Sequence, residues 1–125
     1  MKRLYAYLLG CSLMLLAPVF AMTAMAQDMD THEGVITIIS PKNNAVLDSG
    51  SGIKLTYNVH LSPSGNHLHI YVDGQSPIID RDVSGCPCSM TLPDLAPGRH
   101  SIAVKEAMAN HVLTGVQSMV MFTVK

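Results

Sequence analysis

Tryptophan is absent from this 125-residue chain, phenylalanine occurs twice and tyrosine four times. A sugar-binding platform is built from exposed aromatic rings, so the shortage disfavours carbohydrate recognition. Charge is also sparse, with 14% Asp, Glu, Lys and Arg and no cluster of basic residues. Nucleic acid and anionic membrane surfaces are held through basic patches, so neither is an expected partner. There is no nucleophile elbow, phosphate loop or dinucleotide fingerprint, and the sequence reads as non-enzymatic. The metal signatures H-E-x-x-H and C-x-x-C are missing too. No internal repeat or linker divides the chain. Cysteine is limited to Cys11, Cys86 and Cys88.

What the sequence does contain begins with an export signal. Lys2 and Arg3 precede a mostly apolar run from Leu4 to Phe20, and Ala24-Met25-Ala26 follows as an A-x-A cleavage pattern. Residues 1–26 are therefore expected to be a signal peptide cut after Ala26, which places the mature chain in the periplasm or outside the cell without membrane insertion. Leu8-Leu9-Gly10-Cys11 is a faint lipoprotein-like box inside the same run. The mature 99 residues carry six basic and nine acidic side chains, a net charge of −3. A chain of that length supports one domain with a modest core.

Residues 27–34 are polar and acidic and read as a flexible arm. From residue 35 to 125 the apolar pattern has a period of two, interrupted by turn residues. Val35–Ile39 is β-branched. Ile53, Leu55, Tyr57 and Val59 alternate with Lys54, Thr56, Asn58 and His60. In 67–72, Leu68, Ile70 and Val72 point inward, and His67, His69 and Tyr71 outward. Residues 77–80 suit a short edge strand, because Pro77 is tolerated only there. Met90–Leu92, His100–Lys105 and Val116–Val124 complete the set, while Glu106–His111 fits a helical turn. About seven short strands separated by Gly/Pro turns predict an all-β sandwich.

Leu95-Ala96-Pro97-Gly98-Arg99-His100-Ser101-Ile102-Ala103-Val104 resembles the L-x-P-G-x-Y-x-V-x-V segment of fibronectin type III and bacterial immunoglobulin-like domains, and Val120–Val124 resembles their last strand. The resemblance implies a single immunoglobulin-like sandwich over 35–125, with His100 in place of the family's corner tyrosine. A second, partial resemblance is to periplasmic copper-resistance proteins of the C type. It rests on His32, Ser40-Pro41, His111-Val112-Leu113-Thr114-Gly115 and Phe122-Thr123-Val124. Ala109 stands where that family has Asp, and His32 is the sixth mature residue and not the first. Its copper site is therefore not carried over residue by residue.

Given the fibronectin-like strand order, alternating directions bring His32, His60, His67, Cys86, Cys88 and His111 to one pole, with His69 one outward step below His67. Imidazole and thiolate together suit copper or zinc. Met108, Met119 and Met121 are candidate thioether neighbours. Polar residues also gather in loops for ordinary reasons, and His-x-His is common on solvent-facing strands. Cys86 and Cys88 fit a short-ring disulfide, a free dithiol, a metal-binding pair or a link to another chain. The expected function is an exported binding module whose loop-bearing pole recognises a protein partner. The alternatives are a metal-binding protein, with copper foremost, using His67, His69 and His111 with His60, His32, Cys86 or Cys88, and a thiol redox protein using Cys86 and Cys88.

Overall fold

A computed structural model describes residues 33–50 and 52–125. The expected signal peptide, Cys11, His32 and all but the last two residues of the arm lie outside the described residues. Eight strands follow in order: β1 (Val35–Ser40), β2 (Val46–Leu47), β3 (Lys54–His60), β4 (His67–Val72), β5 (Ile78–Asp80), β6 (Cys88–Thr91), β7 (Gly98–Ala107) and β8 (Leu113–Val124). They form a three-stranded sheet, β1-β3-β6, and a five-stranded sheet, β2-β8-β7-β4-β5. The protein is an open all-β sandwich of the expected fibronectin type III-like kind. Among the described residues there is no helix long and apolar enough to cross a membrane.

Alternation explains the core. Leu55 and Tyr57 from β3 meet Leu68, Ile70, Ile102, Val104, Phe122 and Val124 from the larger sheet, all at most 1% exposed. Each fully buried aliphatic or aromatic side chain contributes roughly 1.5–3 kcal/mol from removal of apolar surface. One polar bond closes the open edge between the sheets: the Tyr57 hydroxyl on β3 donates to the Asp80 carboxylate on β5. Burial first, and the neighbouring carboxylate second, raise the Tyr57 phenol well above its ordinary range, so it remains a donor.

Three elements differ from expectation. Val46 and Leu47 form a two-residue strand parallel to Thr123 and Val124, too short to leave a periodic signal. The segment 106–111 is not a helical turn. β7 continues through Glu106 and Ala107, because β4 pairs with both and β8 pairs with Ala107 beyond an irregularity between Lys105 and Ala107. β8 likewise begins at Leu113 and not at Val116.

The corner before β7 forms with histidine in the tyrosine position. His100 Nε2–H donates to the Ala96 carbonyl at 2.6 Å and Nδ1–H to Asp73 Oδ2 at 2.6 Å. Both ring nitrogens act as donors, so the ring is an imidazolium. The Asp73 bond first, and the Ala96 carbonyl second, raise its pKa. Burial would raise the Asp73 pKa, but the bonds from His100 and from the Ser101 N–H, at 2.8 Å, outweigh it and lower the group.

Candidate metal centre

β4 places His67 and His69 on the same side of the larger sheet, two residues apart and facing away from the core. They are not solvent-facing: His67 is 0% and His69 6% exposed. The β7–β8 turn covers them. In that turn His111 N–H donates to the Met108 carbonyl at 2.9 Å and Met108 N–H to the Val112 carbonyl at 2.8 Å. The turn requires a left-handed backbone at His111, with φ of 67°. A non-glycine residue there costs about 1–2 kcal/mol, and the strained position is the one that brings the third imidazole over the other two.

Three ring nitrogens converge. His67 Nε2 lies 3.0 Å from His69 Nε2, and His111 Nδ1 lies 3.2 Å from each. The other nitrogens of the buried pair are engaged. His67 Nδ1–H donates to Asn66 Oδ1 at 2.9 Å, and His69 Nδ1 lies 3.3 Å from the Tyr71 hydroxyl. The Asn66 contact orients the His67 Nε2 lone pair toward the shared point, as a partner of a metal-ligating histidine does, and the Tyr71 contact sets the orientation of the His69 ring. Arg81, just past the end of β5, places Nη2 3.3 Å from His111 Nε2. Burial first, then the charge of Arg81 and the other imidazoles, lower the His67 pKa. Burial and then His111 and Arg81 do the same for His69. Both rings are therefore held neutral, the form that binds metals.

The spacing suits a metal ion. With nitrogen ligands at about 2.0–2.1 Å from zinc, the edge of an ideal tetrahedron is about 3.3 Å, close to the three observed separations. Nearly equal edges describe one face of a tetrahedron or octahedron. They do not describe a linear or T-shaped set, in which one pair would stand much further apart.

The other sequence candidates do not join this group. His60 ends β3 in the opposite sheet and its side chain is exposed. The pole is shared, but the alternation that buries Leu55 and Tyr57 sends His60 to the outer face of the smaller sheet, and facing sheets stand about 10 Å apart. Cys86 and Cys88 are joined by a disulfide and packed against the core, so neither offers the thiolate that metal ligation needs. Met119 and Met121 are on β8, which β7 separates from β4. Two strand spacings, about 9.6 Å, keep them from the three imidazoles.

Two contributors were not foreseen from sequence. Arg81 carries no pattern that marks it. Glu106 does: continuing the alternation of Ile102 and Val104 by one step places it inward. It is 0% exposed and accepts from Ser62 N–H at 2.8 Å, Ser62 Oγ–H at 2.5 Å and Thr114 Oγ1–H at 2.7 Å. Burial would raise its pKa, but these three donors outweigh it and lower the group. Glu106 thus ties the β3–β4 loop to the start of β8. Gly65 lies so close that any side chain there would collide with the Glu106 carboxylate.

No protein-family profile matches the chain, and no curated protein matches it. Solved structures do. The fibronectin(III)-like modules of Clostridium thermocellum CbhA superpose with a TM-score of 0.58 at 22% identity, over 73% of this chain and 97% of that one. The extracellular domain of a putative one-component system from B. thetaiotaomicron superposes with a TM-score of 0.53 at 10% identity, over 74% of this chain. The chain spans 16% of that second protein's length. By fold, then, the chain is a fibronectin type III-like module, and at these identities the likeness extends to the fold alone.

Proposed function

We propose that the chain is an exported, non-enzymatic sandwich module that binds a divalent transition-metal ion through His67, His69 and His111. One observation carries the reading: three imidazole nitrogens, two of them on buried rings, converge with separations of 3.0, 3.2 and 3.2 Å. Three imidazole nitrogen donors without thiolate or thioether suit Cu(II) or Zn(II) better than Cu(I). Cu(II) binds the tighter of the two by the usual order of affinities, whereas the observed spacing is closer to the ligand separations of tetrahedral Zn(II). The export signal, and the extracellular setting of a structural neighbour, support action outside the cytoplasm.

The test is titration of purified protein with Cu(II) and with Zn(II) against a chromophoric competitor. One equivalent is expected to bind wild type. The His67→Ala/His69→Ala variant is expected to lose that site, while His60→Ala keeps it. Equal stoichiometry and affinity in the double variant would remove the reading.

Protein recognition by the same pole is the second reading. Val112 and Leu113 support it, being 53% and 40% exposed at the end of the β7–β8 turn. A partner captured by wild type in chelator, and lost on Val112→Asp/Leu113→Asp substitution, would favour it.

A further inference from the structure

The contact between Arg81 and His111 runs against the polarity that a metal ligand needs. A guanidinium only donates hydrogen bonds. The His111 Nε2 that faces Arg81 Nη2 at 3.3 Å is therefore the bare nitrogen, and the ring hydrogen sits on Nδ1. That Nδ1–H points at His67 Nε2 and His69 Nε2, 3.2 Å from each. His67 Nε2 is in turn bare, because its Nδ1–H donates to Asn66 Oδ1. The chain of donors is coherent: Arg81 to His111, then His111 to the buried pair. The His111 hydrogen is directed into the point where the three nitrogens meet, and the bare His67 Nε2 accepts it.

A metal-ligating histidine ordinarily donates its remote N–H to an acceptor such as a carboxylate or carbonyl. Arg81 presents a donor at that place. We propose that Arg81 is a latch, a positioning residue that holds His111 in the Nδ1–H tautomer and so keeps the three-histidine centre closed. This rests on the metal-binding reading above and adds to it how the site is regulated. Opening moves one hydrogen: the Nδ1 proton passes to water and water returns a proton to Nε2, so the ring's proton count does not change. The new Nε2–H cannot face a guanidinium N–H, so Arg81, which is exposed, turns into solvent. Its own position is well defined. Asp80 Oδ1 accepts from Asp82 N–H at 3.1 Å, and the other Asp80 oxygen accepts from Tyr57, which fixes the backbone on both sides of Arg81. A centre that must break this contact to fill releases its ion more readily than one whose outer contacts favour ligation. The latch fits a module that exchanges metal and does not store it.

Two measurements on the full mature chain test the latch. Long-range proton–nitrogen spectra of metal-free, imidazole-labelled protein report the His111 tautomer directly. The Nδ1–H form is expected in wild type and the Nε2–H form in Arg81→Gln, whose side-chain oxygen accepts from Nε2–H. Competition titration with Zn(II) then compares wild type, Arg81→Ala and Arg81→Gln. Both variants lose the charge, and only Gln supplies an acceptor. Arg81→Gln is expected to bind about ten- to a hundredfold tighter than wild type, the usual span of outer-contact effects on metal affinity, with Arg81→Ala between. An Nε2–H tautomer in metal-free wild type overturns the latch. So does Arg81→Gln binding no tighter than Arg81→Ala, which leaves charge alone as the cause. An Nδ1–H tautomer with no Zn(II) uptake by any of the three proteins overturns the metal centre itself.

Discussion

His111 shows how one residue sets fold stability against the site. Its backbone is left-handed, and glycine adopts that conformation without the Cβ clash that any other residue meets. Removing the imidazole in two ways separates the two effects. His111→Gly and His111→Ala both delete the third nitrogen and both lose the contact with Arg81. Only the glycine variant relieves the backbone. His111→Gly is therefore expected to be more stable than His111→Ala by about 1 kcal/mol, measured by urea unfolding in chelator, while both are expected to lose binding at the proposed metal site. Equal stability of the two variants would mean that the turn does not impose the left-handed geometry. A residue held at a strained position where glycine fits better is explained by what its side chain does there. Here it caps two buried imidazoles.

At the scale of elements, Glu106 holds the pole together. It sits on β7 opposite Leu68 of β4 and receives three hydrogen bonds from the β3–β4 loop and the start of β8. The next residue, Ala107, accepts from Asn66 N–H at 2.9 Å, and Asn66 orients His67. Glu106→Gln keeps the shape but removes the charge: its amide oxygen can still accept from Ser62 N–H, while its NH2 faces the Ser62 and Thr114 hydroxyls, which must turn from donating to accepting. Loss of charge-assisted bonds is expected to cost about 2–4 kcal/mol, with faster amide exchange at Ser62 and Asn66. An unfolding midpoint unchanged by Glu106→Gln would show that the carboxylate is not the tie.

The same elements show what was readable in sequence. β3, β4, β7 and β8 were legible because a half-buried strand writes its face as alternation, and the L-x-P-G corner marked the start of β7. β2 was not, since two residues hold no period. The clustering of His67, His69 and His111 was legible as far as the shared pole. The choice among pole residues was not, because it depends on which face each strand turns outward. His60 and His67 flank the same loop yet belong to opposite sheets. Arg81 left no trace, because its role arises from a contact with a residue thirty positions away.

For the whole molecule, the histidines divide the pH dependence of stability between them. His67 and His69 have folded pKa values below the ordinary value. As pH falls through about 6.5, the unfolded chain takes up protons that the folded centre refuses, and stability drops. His100 has a raised folded pKa. Its contribution is complete below about 6.5 and is lost as pH rises through the raised value. Asp73 and Glu106 are lowered, so their contributions fall away only in acid below about 4, outside this window. Metal-free protein is therefore expected to have its highest Tm near pH 6.5, declining on both sides. Each limb has its own variant. His100→Tyr keeps a donor at the corner but does not titrate in this range, so it flattens the alkaline limb and leaves the acid limb. His67→Ala/His69→Ala flattens the acid limb and leaves the alkaline one. Zn(II) bound as proposed would hold the two imidazoles unprotonated, so saturating Zn(II) is expected to move the acid limb to lower pH and leave the alkaline limb, which belongs to the opposite end of the sandwich. If Zn(II) moved both limbs together, the corner and the three-histidine centre would be one coupled unit. Among the described residues no hydrogen bond joins His100 to His67 or His69, which argues that the two limbs are independent.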